Sequence, residues 1–168
     1  MMTIYRQTAK FILKGDEIVS DTIFRIIPRY SHQVYTDEQI TRAVNTLKLT
    51  STEEITFANY RNIQFIDCGE GLKHIFCQWC GHELNQEYWQ EKMSKAYNGK
   101  SYEYLGLKTH CCNLSSSLDE FIYIKPCGFA SFVIEVHNPT TIPCAIDLHE
   151  MGKCFGHTRF FKMISAHI

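Results

Sequence analysis

Cys77, Gln78, Trp79, Cys80 and Gly81 limit the possible folds of this chain more than any other run of residues. Two thiols with two residues between them can be turned toward one point by a single tight turn. A glycine directly after them admits the left-handed backbone that such a turn often needs. A second cluster follows at Thr109, His110, Cys111, Cys112 and Asn113. Together the two clusters supply four thiols and a nearby imidazole, enough to close a tetrahedral zinc shell. Bound thiols are thiolates, and the affinity for the ion becomes folding free energy of the segment that carries them.

The 168 residues, 45% hydrophobic and 21% charged, fit one domain with a small insertion or two very small domains. The formal net charge of -1 argues against a general polyanion binder, which needs a basic surface to neutralise phosphates. No apolar run approaches the roughly 20 residues of a membrane helix, and the N-terminal residues contain no apolar signal-peptide core. The expectation is a cytoplasmic protein without a membrane segment. In that compartment its eight cysteines are thiols, and clustered ones are metal ligands rather than disulfides.

Along the chain, Phe11–Leu13 and Ile23–Ile27 are apolar and β-branched, with Lys14–Asp16 as a turn between them and Pro28 ending the second strand or marking an edge. Thr36 and Gln39 have the spacing of a capping box, and Ile40, Ala43, Val44 and Leu47 follow as one helical stripe. Ile55–Phe57 and Ile63–Asp67 are expected strands of a hairpin turning at Tyr60–Asn62. A short strand over residues 73–76 leads into the first cysteine pair. Asn85 caps a helix carrying Trp89, Met93, Ala96 and Tyr97, and Asn98–Gly99 stops it. Ser115–Ser117 is expected to be a polar loop. Phe129–Val136 is a strand, Pro143 opens a helix with a stripe of Cys144, Leu148, Met151 and Phe155, and Arg159–Ala166 is the last strand.

This order is strand–helix–strand, insertion, strand–helix–strand. It predicts an α+β fold: a ferredoxin-like antiparallel sheet with two helices on one face. Residues 1–72 and 126–168 are then the sandwich core, and residues 73–125 an inserted zinc-binding segment.

The run Cys77-Gln-Trp-Cys80-Gly-His-Glu-Leu84 resembles the first knuckle of the zinc-ribbon family, over about residues 73–125. The resemblance implies that Cys77 and Cys80 are the first ligand pair; the closed four-cysteine shell makes the expected zinc structural. The second half departs from the family pattern, because Cys111 and Cys112 are adjacent and adjacent ligands are not expected to make the same knuckle. Either both bind through a distorted loop, or one binds and His110 or His82 completes the shell. Reduced, partly buried thiols and a redox Cys-x-x-Cys are the rival readings.

A four-cysteine shell is closed and activates water poorly, and the His-x-Glu with Pro-Cys-x-x-Cys of a nucleobase deaminase is missing. Cys144 is expected in the core, and Cys127, before a glycine, is a candidate reactive thiol. His137, His149, His157 and His167 are candidates for a second site if the fold brings them together. Three functions compete. The first is a non-enzymatic module that presents Trp79, at the knuckle tip, to a protein partner. The second is nucleic-acid binding through Lys92, Lys95, Lys100 and Lys108, opposed by Glu83, Glu87, Glu91 and Glu103 among them. The third is an enzyme with a cleft between sheet and ribbon and His110 or His137 as base.

Overall fold

A computed structural model describes residues 22–48, 54–67, 72, 74–125, 127–156 and 161–167 of the chain. The expected strand at Phe11–Leu13, the turn after it and His157 lie outside the described residues.

Four strands form the larger sheet: β1 (Thr22–Pro28), β2 (Ile55–Ile66), β7 (Gly128–His137) and β8 (Phe161–His167). Their order is β2-β7-β1-β8, and each neighbouring pair is antiparallel. Ile26 in β1 stands beside Ile134 of β7 on one side and Met163 of β8 on the other. Pro28 does end β1, but the strand is interior. Its missing N–H is tolerated because it falls at the last paired position, opposite Phe161.

Two helices cover one face of this sheet. Helix α1 (Asp37–Lys48) starts with the expected reciprocal cap: the Thr36 N–H donates to Gln39 Oε1 (3.0 Å) and the Gln39 N–H to Thr36 Oγ1 (3.3 Å). Ile40, Ala43, Val44 and Leu47 are all buried, in one cluster with Ile26, Ile55, Phe132, Ile134 and Val136 of the sheet. Helix α3 (Ala145–Lys153) adds Met151 to the same cluster, followed by Phe155 just past its end. Burying a Leu, Ile or Met side chain contributes roughly 1.5–3 kcal/mol, so this stripe outweighs any helix propensity in fixing α1. Gly156 has φ +78° and turns the chain away.

Cys144 is exposed, not in the core as expected. It precedes the first helical turn, where its backbone N–H donates to Asp147 Oδ2 (2.7 Å), so its side chain is off the apolar stripe.

The expected hairpin over 55–67 is a single strand, β2, with a bulge. Asn59 faces Phe132 and Gln64 faces Ala130, so residues 60–63 stand opposite Ser131 alone. Arg61, at φ +61°, is what made this segment resemble a hairpin turn. The chain goes straight on because the long apolar β7 offers pairing partners for both halves.

Residues 74–125 carry a second core. Helix α2 (Gln86–Ala96) is capped by Asn85, whose Oδ1 accepts the Glu87 N–H (2.6 Å), and it buries Trp89 and Met93. These pack with Ile75, Leu84, Leu105, Leu118, Phe121 and Tyr123, and with Ile63 and Phe129 from β2 and β7. The rings of Phe65 and Trp89 are 5.7 Å apart and those of Tyr102 and Phe129 5.2 Å. The segment is thereby seated on the end of the sheet where β2 bulges. Three short pieces complete it: β3 (Ile75–Phe76) with β6 (Ile122–Tyr123), and β4 (Gly106–Lys108) with β5 (Ser115–Ser117). Ser115–Ser117, expected as a loop, is β5: backbone pairing with β4 and burial of Ser116 override the low strand preference of serine. The fold is α+β, with three helices and antiparallel sheets among the described residues. None of those helices is long and apolar enough to cross a membrane.

Candidate metal centre

Each cysteine cluster lies on the tip of a short hairpin. In the first, Phe76 pairs with Glu83, the Cys77 N–H donates to the His82 carbonyl (2.9 Å) and the Gly81 N–H to the Cys77 carbonyl (2.9 Å). Gly81 has φ +69°. In the second, Lys108 pairs with Ser115, the Thr109 N–H donates to the Leu114 carbonyl (3.0 Å) and the Asn113 N–H to the Thr109 carbonyl (3.0 Å). Asn113 has φ +57°.

The two turns are the same backbone turn. Thr109 stands where Cys77 stands, Cys111 where Trp79 stands, Cys112 where Cys80 stands and Asn113 where Gly81 stands. The expectation that adjacent cysteines exclude this turn is therefore corrected. The turn needs a left-handed residue at its fifth position, and Asn, the non-glycine residue that bears this best, supplies it. What differs is the side-chain roles: the first place holds a hydroxyl, and the fourth sulfur comes from the third place. The Thr109–Cys112–Asn113 spacing repeats Cys77–Cys80–Gly81 and is the sequence signal for Thr109.

The sulfurs of Cys77, Cys80, Cys111 and Cys112 all lie within 4.8 Å of one another. Cys77 Sγ is 3.8 Å from Cys112 Sγ, and Cys80 Sγ is 3.5 Å from Cys111 Sγ. A regular tetrahedron with metal–sulfur bonds of ~2.3 Å has edges of about 3.8 Å, so the spacing is that of a divalent ion's shell. Four soft donors suit zinc or iron and not magnesium or calcium. His82 and His110 sit outside this group, edge to face with centroids 6.4 Å apart; His110 packs at 4.2 Å on the Tyr88 ring.

The surroundings treat the four thiols unequally. Cys77 is fully buried, which opposes ionisation, but N–H groups of Cys80 and Trp79 and the neighbouring thiols outweigh burial and bring it down to about 7. Burial and the contacts with Cys80, Cys77 and Cys112 push Cys111 up to about 12. In the metal-free chain, then, Cys77 ionises early and Cys111 holds its proton. Buried Thr109 keeps its Oγ1 3.1 Å from Cys112 Sγ and 3.2 Å from the Leu114 carbonyl.

The tip is tied down by side chains. Gln78 Nε2 donates to Glu120 Oε2 (2.8 Å) and to Ser116 Oγ (3.3 Å). Trp79 Nε1 donates to the Ser115 carbonyl (2.9 Å), clamping the first turn to the second hairpin, while the residue stays 56% exposed. Leu114, on the second turn, is half exposed as well.

The other candidates are dispersed. Cys127 is buried in the core under α2, and Lys162 donates to its carbonyl. His137 Nε2 lies 3.4 Å from Thr56 Oγ1 and 3.9 Å from Glu135 Oε2. Both partners face the same ring nitrogen, so among the described residues no relay through the imidazole is formed. His149 is exposed on α3, on the helix-covered face. Lys92, Lys95 and Lys108 do converge, with Tyr97 and Tyr104, on a groove of about 480 Å³ between α2 and β4; Lys100 is not part of its lining.

No protein-family profile, curated protein or solved structure matches this chain.

Proposed function

We propose that the chain is a small zinc-binding protein with a structural zinc, acting as a non-enzymatic protein-interaction module. The observation that carries this is the four-sulfur group within 4.8 Å, presented by two hairpin tips. Cys77, Cys80, Cys111 and Cys112 are its ligands. Bound there, a divalent ion supplies cross-linking and charge neutralisation; a four-thiolate shell leaves no position for water. The residues do the rest. Main-chain N–H groups at Cys77 offset the net charge of about -2 that four thiolates around a divalent ion leave, and Asn113 and Gly81 set the two turns.

In this reading residues 73–125 are a zinc-ribbon-like insertion in a ferredoxin-like frame of residues 1–72 and 126–168. The strand order β2-β7-β1-β8 and the shared face of α1 and α3 support the frame. The duplicated turn supports the ribbon. A reducing compartment, the cytoplasm, suits seven described cysteines that carry no disulfide. Trp79 is the partner-facing residue, because an exposed aromatic whose position is held by a hydrogen bond offers contact area at low entropic cost. Zinc analysis of the purified chain tests the proposal: one equivalent per chain, lost in Cys77→Ser, is expected, and a metal-free chain of unchanged stability rules it out.

The lysine–tyrosine groove favours one alternative, binding of single-stranded nucleic acid, by charge and by stacking on Tyr97 and Tyr104. Against it, Lys92 and Lys95 are both paired with Glu91. A salt-dependent oligonucleotide titration decides, since phosphate contacts must weaken as salt rises.

A further inference from the structure

The two turns share one backbone but deliver their sulfurs from different places. The first uses places one and four, Cys77 and Cys80. The second uses places three and four, Cys111 and Cys112, with Thr109 in place one. Place one is where the turn's own N–H groups converge: in the first turn those of Trp79 and Cys80 serve Cys77. Place three is the tip. In the first turn its side chain, Trp79, points outward and is more than half exposed.

Three of the four sulfurs thus have support beyond the cluster itself. Cys77 has the turn N–H groups, Cys80 holds the fourth place of the same turn, and Cys112 holds that place in the second turn with the Thr109 hydroxyl beside it. At Cys111 burial comes first, and the contacts that follow are with the other three thiols. It is partly exposed, as is Cys112, and Cys80, its 3.5 Å neighbour, is more exposed.

Resting on the metal-binding reading above, we propose that Cys111 is the exchangeable ligand of the centre. It can leave the ion, which Cys77, Cys80 and Cys112 continue to hold, and so open one coordination position to an external sulfur or nitrogen donor, a small thiol or an imidazole. A three-ligand shell with an open position is what separates exchangeable metal sites from closed ones. The site is then a docking point for a donor group as well as a staple.

Co²⁺ titration of the full chain, followed by its absorption spectrum, reads this out directly. Cys111→Ser should weaken Co²⁺ binding by about 10- to 100-fold, the loss ordinary for a supporting group, whereas Cys77→Ser and Cys112→Ser should weaken it beyond about 1,000-fold. Added 2-mercaptoethanol or imidazole should shift the spectrum of Co²⁺-loaded Cys111→Ser saturably, and that of the wild type too but only at higher concentration, where the donor has to displace Cys111. A Cys111→Ser variant that loses the ion as completely as Cys77→Ser overturns the proposal, as does one that ignores both added donors. A second measurement needs no variant. In the zinc-loaded wild type, N-ethylmaleimide should alkylate Cys111 first among the four, ahead of the more exposed Cys80; Cys80 reacting first overturns the proposal. A wild type that takes up no Co²⁺ removes the metal-binding reading itself, while four-sulfur binding that Cys111→Ser abolishes removes only this inference.

Discussion

Thr109 occupies in the second hairpin turn the place that Cys77 occupies in the first, with the same two main-chain hydrogen bonds around it and its Oγ1 3.1 Å from Cys112 Sγ. One turn therefore offers a ligand where the other offers a hydroxyl that steadies a ligand.

The substitution pair Thr109→Cys with Cys111→Ser should move the fourth sulfur from the third place to the first and rebuild the arrangement of the first turn. Zinc affinity of the double variant is expected to return to wild-type strength or above, from a Cys111→Ser background about 10- to 100-fold weaker. Competition with a chromophoric chelator measures it. A double variant as weak as Cys111→Ser alone would show that the turns do not correspond.

Cys77→Ser or Cys80→Ser should release the ion and unfold residues 74–125, because affinity for a structural zinc is folding free energy there. The binding free energy of a structural zinc, about 10–16 kcal/mol, is comparable to the whole stability of a typical small domain, about 5–15 kcal/mol. Calorimetry with zinc analysis checks it; a wild-type melting profile in both variants contradicts it.

Stability of the metal-free chain should depend on pH with opposite signs at two cysteines. Cys77 falls to about 7 from an ordinary 9.0, so the folded state releases a proton that the unfolded state keeps. Its contribution is present above pH 9 and fades as pH falls through 7. Cys111 rises to about 12, so its contribution is present below pH 9 and fades as pH climbs toward 12. Thermal melts in chelator should therefore rise in midpoint from pH 7 toward 9 and decline above it, and zinc affinity should drop as protons compete below pH 7.

Ile40→Ala empties a fully buried site between α1 and the sheet. A loss of about 2–5 kcal/mol is expected in urea unfolding. Zinc stoichiometry should not change, since Ile40 belongs to the cluster under α1 and α3, and the turns rest on the cluster around Trp89.

Much of this was legible along the chain. The start of α1 and its buried face follow from Thr36, Gln39 and the Ile40-to-Leu47 stripe, because capping and periodicity are local. The same holds for α2 after Asn85 and for the long apolar β7. Local rules failed where pairing with a distant strand decided the outcome. Tyr60–Asn62 has turn chemistry, yet β7 holds both flanks in one strand. Ser115–Ser117 has loop chemistry, yet β4 pairs with it. Cys144 fits a helical stripe by spacing, but the helix begins one residue after it.

Neighbours within a few positions suffice to make the tight turn of Cys77, Cys80 and Gly81 and to start α1 and α2, so these could be read from the chain alone. Only the tertiary structure decided that Cys111 and Cys112 come to within 4.8 Å of that turn, and that Thr109 and not a cysteine fills the leading place of the second. Contacts between groups some thirty residues apart are set by how α2 packs on the end of the sheet, through Trp89, Phe65 and Phe129, and no local preference encodes that distance.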